Sequence, residues 1–584
     1  MNQDRDQGTA FLERAFADFM ETLAGEESSP TLMTAVRQLS RARSEGHICL
    51  DLASMPGDRA VAEVAALLLA TAVVGGPGER VPLIIEGPYL YLHRYHQAET
   101  QVADFIRARC HMDFQGLTPA ALRASLARFF PGAGAQQGDW QQVAAMAALT
   151  RKFTVISGGP GTGKTTTVAK ILALYLELHQ GQGRVIRLAA PTGKAAARLQ
   201  DSIQQVKAQL PVSEETRAAL PSETVTIHRL LGLSRGRPRY DRHHPLPADL
   251  VVIDEASMVD LPLMAQLMEA LPAGCSLILL GDHYQLSSVQ PGAVLGDICG
   301  RGEGFSATFA GLARDLGVIL EEAPSRKNSL ADGIITLCTS YRFGAKSGIR
   351  RLSAAVNSGQ ADEALALLND SGFPDVRMFD YGSNCDQLVA TELYPAFAGL
   401  IKAQSTEDQL AALNRFGVLC AHRRGPAGME RINALLVRMA AGKENSGKPL
   451  YPGLPIMVAG NSYELQLYNG DTGVIHDQDG RLYVSFADGS GLRQVLARRL
   501  PPYNPAYAMT VHKSQGSEFD RVVVVLPAQP SRVLGRELLY TALTRARQSV
   551  EIWGNADIFR QAVATPVARV SGLARRLWGD PPEG

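Results

Sequence analysis

The stretch SGGPGTGKTTT, Ser157 to Thr167, constrains this chain more than any other. It follows the apolar run FTVIS and opens a segment with helical patterning. Gly158, Gly163, Lys164 and Thr165 complete G-x-x-x-x-G-K-T, with Gly159, Pro160, Gly161 and Thr162 inside the motif and Thr166 after it. The glycines let backbone N–H groups close around the phosphates of ATP. Lys164 reaches the β and γ phosphates, and Thr165 offers a hydroxyl to Mg²⁺. A loop of this kind serves kinases, transporters, switches and motors alike, so what the hydrolysis drives has to be read elsewhere.

Three further apolar runs follow, VIRLAA, DLVVIDEA and SLILLGD, each ending in polar residues and separated by helical patterns. Short Val/Ile/Leu strands alternating with helices predict an α/β fold whose parallel sheet is covered on both faces. In such sheets the chemistry lies beyond the carboxyl ends of the strands. Asp254, at the end of LVVID, is placed to hold Mg²⁺. Glu255 beside it is a candidate general base for the attacking water. The third run ends in Gly281-Asp282, with Gln285 close behind as a reporter of the γ-phosphate. Far downstream, SYRFG supplies Arg342 and YTALTRAR supplies Arg545 and Arg547. A guanidinium reaching the γ-phosphate from outside the cradle is worth about 10³ to 10⁵ in rate. Arg342 and Arg545 are the candidates, and Arg547 reads equally as a surface residue. If they come from a second lobe, ATP lies in a cleft whose closing and opening is a motor stroke.

A chain of 584 residues suggests roughly four domains. Lys+Arg equals Asp+Glu at 58 each, so no global basic field announces nucleic acid, and any positive surface must be local. Cys49, Cys110, Cys275, Cys299, Cys338, Cys385 and Cys420 are scattered without CxxC spacing. That argues against a zinc site or a disulfide framework and fits a reducing cytosol. The polar start lacks a signal-peptide core, and the apolar run Val64 to Val74 is too short to span a bilayer. The expectation is a cytoplasmic protein with no membrane association. Residues 1–130 show helical patterns, turns and the aromatic segment PLIIEGPYLYLHRYHQAE, then the linker-like PGAGAQQG, Pro131 to Gly138. A second set of strand patterns appears at GVLCAH, RVVVVLP and VEIWG, with a small β-rich insertion before the last two.

The ordered set DWQQVAAMAAL, GGPGTGKTT, LAAPTGKAAARL, TIHRLLG, VVIDEASMVD, GDHYQLSSV, SYRF, AMTVHKSQGSEFD and YTALTRAR resembles superfamily 1 helicases of the 5′→3′ branch. Within that branch the chain is similar to the RecD-type alpha subunits of exodeoxyribonuclease V, the RecBCD helicase-nuclease. The resemblance implies two RecA-like motor lobes, 131–330 and 331–584. It implies a small 1B insertion near 232–247, an SH3-like insertion near 430–505, and a mostly helical amino-terminal domain, 1–130, that contacts a RecC-type partner. It implies a 5′→3′ DNA helicase that unwinds duplex ends for double-strand-break repair by recombination, in a heterotrimer with RecB-like and RecC-like subunits. The nuclease centre is expected on another subunit, since no carboxylate–lysine cluster follows the motor.

The resemblance also assigns residues. Gln141, rather than Gln142, matches the adenine-reading glutamine. Thr192, Thr510 and His512 match positions on the single-strand backbone, with His228 a weaker candidate. Small hydroxyl and imidazole donors suit phosphate contacts that read no base. Gln515 and Glu518 belong to the block that couples the DNA groove to the nucleotide. Tyr284 is a candidate base-stacking residue. Arg235, Arg237, Arg239 and Arg242 in SRGRPRYDRHHP would suit a duplex junction or a solvated loop, and His243-His244 reads as surface. Three alternatives stay open: a free-standing helicase of the same branch, a non-motor ATP-binding regulatory subunit, and a P-loop enzyme acting on a small molecule.

Overall fold

The computed structural model describes residues 2–113, 116–131, 139–180, 182–233, 238–300, 304–320, 328–344, 346–382, 384–403, 405–442, 445–462, 464–488, 491–567 and 569–579. The linker 132–138 and the arginines Arg235 and Arg237 lie outside them. No described helix is long and apolar enough to cross a membrane.

The first lobe is built on a six-stranded parallel sheet. Its order is Ile334–Leu337, Phe153–Gly158, Ser276–Gly281, Leu250–Ile253, Ile186–Ala190 and Thr224–Thr226. The central strands are buried along their whole length, as uninterrupted apolar runs require when helices cover both faces. Pairing of Phe153–Gly158 with Ser276–Gly281, and of that strand with Leu250–Ile253, sets three carboxyl ends side by side. The Gly-rich loop, the Asp282–Gln285 turn and the Asp254-Glu255 pair thus emerge at one edge. The last strand, Ile334–Leu337, carries this sheet past the expected division at residue 330.

The second lobe holds a five-stranded parallel sheet, Val376–Phe379, Ala546–Trp553, Phe519–Val525, Phe416–Cys420 and Ala508–Thr510. Between its strands lies a five-stranded antiparallel sheet: Gly491–Leu496, Arg481–Asp488, Thr472–Gln478, Pro455–Val458 and Tyr503–Pro505. This is the expected β-rich insertion, but its strands begin at Pro455, because Met429–Ala441 is a helix burying Met429, Ile432, Leu435 and Leu436.

The amino-terminal domain is largely helical, led by Asn2–Ala24, Pro30–Ser44 and His93–Arg109. It also contains a four-stranded sheet, Cys49–Asp51, Tyr89–Leu92, Leu83–Glu86 and Val74–Gly75. The chain returns to this domain at its far end. Ile48 N–H donates to Val570 O at 2.9 Å, Arg569 donates to the carbonyls of Gln290 and Gly292, and Arg576 pairs with Glu86 and Glu99. Trp578 Nε1 donates to Asp297 O and Ile298 O, and Asn328 donates to Leu577 O. Residues 569–578 therefore strap the amino-terminal domain to the first lobe instead of ending within the second.

Between Leu231 and Asp249 the described residues form a loop without regular elements. Arg239 N–H donates to Leu231 O, and Asp241 accepts from the backbone N–H of His243 and His244. Arg242 donates to His243. No group of three His, Cys, Asp or Glu among the described residues is placed to hold a metal ion.

Candidate functional site: a nucleotide cleft between two lobes

One cavity of about 280 Å³ is lined by Pro160–Thr166, Asp254, Glu255, Asp282, Gln285, Arg342, Glu518 and Arg545, with Arg198 on its wall. The residues expected from separate motifs thus meet in one place. The loop itself is shaped by close approach. Gly161 (φ +73°) lies against Arg342, so a Cβ there would run into the Arg342 side chain. Tyr341 N–H donates to Gly161 O at 2.8 Å. Gly163 (φ +80°) heads the helix Lys164–Leu178 and lies against Gln141. Lys164 Nζ donates to the carbonyls of Gly158 and Gly159, at 2.6 and 3.1 Å.

Gln141 Nε2 donates to Thr162 O at 3.4 Å, whereas Gln142 is buried in the core. The ring of Tyr341, 69% exposed, stands beside Gly163 and offers a flat surface next to Gln141. Tyr341 is not among the residues expected from the motifs, although its place directly before Arg342 marks it.

Asp254 and Glu255 face the cleft. Burial, reinforced by the neighbouring Glu255 charge, pushes the Asp254 carboxyl up to about 6. A buried carboxylate raised in this way suits a cation, which would reverse the penalty. Glu255 adopts φ +50° and ψ +41°, left-handed geometry uncommon outside glycine, and strained residues of this kind cluster at functional sites.

The cleft is closed from the second lobe. Arg545, 3% exposed, donates from Nη2 to Gln285 Oε1 at 2.7 Å, from Nε to Thr541 O and from Nη1 to Ser517 O. Gln285 Nε2 in turn donates to Asp282 Oδ2 at 3.0 Å, and Tyr540 of the second lobe donates its hydroxyl to the same oxygen at 2.9 Å. Thr541 and Gln515 bond the backbone of Leu286. Arg342 sits on the connector just beyond the first lobe's last strand, not deep in the second lobe. Its Nη2 donates to both carboxylate oxygens of Glu518 at 2.8 Å, and its Nη1 is buried without a hydrogen-bond partner. An unspent guanidinium edge in a cleft already holding a phosphate loop fits a phosphoryl oxygen. Arg547 is half exposed, pairs with Glu518 and does not line the cleft.

None of the five candidate DNA contacts lines the cleft. Thr192 spends its hydroxyl capping the helix Gly193–Lys207 through Ala195 N–H. The ring of Tyr468, from the loop between the strands Pro455–Val458 and Thr472–Gln478, covers Gly193 next to it, a contact between lobes that no motif announced. Thr510 ends a strand of the second lobe, and His512 follows it. Burial and Arg569 keep the His512 imidazole below its ordinary value, hence neutral near pH 7. His228 is exposed, and Tyr284 is partly exposed against His283 and Tyr540.

Three family models match the chain: an AAA domain over 141–291, a UvrD-like helicase C-terminal domain over 505–552, and the N-terminal domain of RecBCD enzyme subunit RecD over 9–65. The RecBCD enzyme subunit RecD of Mycolicibacterium smegmatis is 38% identical across 96% of this chain and 98% of that protein. The subunit RecD of Haemophilus influenzae is 34% identical across 85% of this chain and 81% of that protein. The ATP-dependent RecD2 DNA helicase of Deinococcus radiodurans is 30% identical across 78% of this chain but 56% of its own length. With the phosphate loop, the acidic strand end and the second-lobe arginine converging in one cleft, and a RecD relative matched nearly end to end, the chain belongs to the family of RecD subunits of RecBCD enzymes.

Proposed function

We propose that this chain is the ATP-driven 5′→3′ DNA helicase subunit of a RecBCD-type helicase-nuclease, unwinding duplex ends for double-strand-break repair. The observation that carries the motor reading is the Arg545–Gln285 hydrogen bond, which joins the two lobes inside the nucleotide cleft. A guanidinium from the second lobe bonded to the first lobe's Gln285 lets the nucleotide govern how the two lobes sit, which is what a motor requires. A retired, purely regulatory site has no need for a strained Glu255 or a buried Arg545.

Lys164 and the loop N–H groups hold the triphosphate, and Gln141 with Tyr341 flanks the base. Thr165 and Asp254 would hold Mg²⁺, which when bound neutralises charge on the β and γ phosphates. Glu255 accepts the proton of the attacking water. Gln285, Arg342 and Arg545 meet the γ-phosphate, so the lobes close when it is present and separate when it leaves. Thr192, His228, Tyr284, Thr510 and His512 are the proposed contacts to a single strand, and the antiparallel sheet at 455–505 is read as the SH3-like insertion.

The partner reading rests on family membership and on helix Asn2–Ala24, which exposes Phe11, Leu12, Phe19 and Leu23. Exposed apolar side chains grouped on one helix mark an interaction site, and a RecC-type subunit is the proposed occupant, with a RecB-type subunit completing the heterotrimer.

The test is ATP hydrolysis by the purified chain with and without single-stranded oligonucleotide, at fixed low salt because phosphate contacts weaken steeply with salt. Lys164→Gln serves as the blank. Strong stimulation that vanishes in the variant is expected. Absence of stimulation, both for the chain alone and with the two partner subunits added, would sink the motor reading.

A further inference from the structure

Glu518 carries one negative charge and receives three guanidinium groups. Arg342 takes both oxygens through Nη2, Arg198 donates to Oε1, and Arg547 approaches Oε2 at 3.2 Å. The Glu518 side chain is 8% exposed, against 41% for Arg198 and 20% for Arg342. Burial alone would raise the carboxyl, but Arg198 and Arg342 hold it down at about 2, so it is a fixed anion.

The three groups come from different bodies. Arg198 lies on the first-lobe helix Gly193–Lys207. Glu518 directly precedes the second-lobe strand Phe519–Val525, and Arg342 sits on the connector between the lobes. Arg342 spends Nη2 on Glu518 and keeps Nη1 for the cleft. A guanidinium is planar, so fixing one nitrogen against two oxygens fixes the direction of the other. Glu518 thereby aims Arg342. Glu518 itself is tied to the first lobe by Arg198, so the aim depends on the lobes being together.

Building on the motor reading above, we propose that Arg198 and Glu518 are positioning residues that orient Arg342 toward the γ-phosphate only when the lobes are closed. Arg198 acts through Glu518, not by touching nucleotide. When the lobes part, the Arg198–Glu518 pair breaks and Arg342 loses its orientation.

The test compares affinities of the full chain for a non-hydrolysable ATP analogue and for ADP, both with Mg²⁺. This readout needs neither turnover nor DNA. Arg198→Ala and Glu518→Gln should each lower the analogue-to-ADP affinity ratio by about tenfold, the scale of one charge-assisted hydrogen bond, leaving ADP affinity in place. Arg198→Lys should recover part of the loss. The double variant should be no worse than either single, since both act on one guanidinium, and adding either change to Arg342→Ala should cost nothing more. Arg198 is the more exposed partner, so Arg198→Ala keeps the test sound if Glu518→Gln fails to fold. An unchanged ratio in the single variants, a parallel fall in ADP affinity, or losses that multiply in the double variant would each overturn the proposal. A wild-type chain that discriminates analogue from ADP yet shows no DNA-stimulated hydrolysis, alone or with both partner subunits, would sink the motor reading and leave this relay standing.

Discussion

Removing Arg545 tests the cleft most directly. In Arg545→Ala the transition state loses a guanidinium worth about 10³ to 10⁵ in kcat, or about 4 to 7 kcal/mol at 1.36 kcal/mol per decade. The same change strips a hydrogen-bond partner from Gln285 Oε1, Thr541 O and Ser517 O. Leaving such acceptors buried costs about 1 to 3 kcal/mol each at most, and water entering the vacated volume reduces that. Thr541 O still accepts from Thr544 Oγ1, so the other two acceptors cost about 2 to 6 kcal/mol together, comparable to the rate effect, and kcat is compared only between preparations that the melt shows folded. Arg545→Lys keeps the charge but cannot reach three acceptors in different directions, so most of the rate loss should persist. Because Arg545 is bonded to Gln285, the two should act as one group: Gln285→Ala added to Arg545→Ala should lower kcat little further. The assay is steady-state ATP hydrolysis at saturating single-stranded DNA, with a thermal melt on the same preparations. A loss of kcat below tenfold in a folded Arg545→Ala variant would refute the transition-state role, and multiplicative losses in the double variant would refute the coupling.

Glu255→Gln should lower kcat by about 10² to 10⁴ while nucleotide binding survives; loss of binding in step with turnover would place Glu255 in binding instead. Asp254 makes a pH prediction. Its folded-state value, about 6, lies above its unfolded value of 3.8, so the folded state binds the extra proton. Without divalent cation the wild type should lose stability relative to Asp254→Asn as pH rises from about 4 through about 6, by about 1 to 3 kcal/mol. Melts at pH 5, 6 and 7 check this, and a constant difference would refute it. Charged substitutions at Phe11 and Phe19, 71% and 57% exposed, should abolish co-purification with RecB-like and RecC-like subunits while leaving the chain's own melt within about 0.5 kcal/mol.

The parts of the cleft legible in the sequence are the local ones. The loop at 158–166, the Asp254-Glu255 pair and Gln285 each sit within a few residues of a strand end, where spacing alone places them. Arg198, Tyr468 and Tyr540 were illegible because their roles arise from lobes meeting: Arg198 and Glu518 are far apart along the chain, and nothing in AAARLQ distinguishes a cleft-wall arginine from a solvated one. The strand Ile334–Leu337 was missed as a first-lobe strand because four residues, IITL, carry too little pattern to say which sheet they join. Thr192 shows a different limit. A threonine before a helix is equally a cap and a phosphate contact, and here it is already a cap.

The return of residues 569–578 to the amino-terminal domain and the first lobe changes how the machine can move. The second lobe leaves the first at Leu337 and is fastened back at Arg569, so it is held at two points instead of hanging from one linker. A body pinned at one point can swivel about any axis. A body pinned at two turns about the line that joins them. The tail thus gives the second lobe a second attachment, and any closure of the lobes over nucleotide would be confined to rotation about the line that joins Leu337 and Arg569.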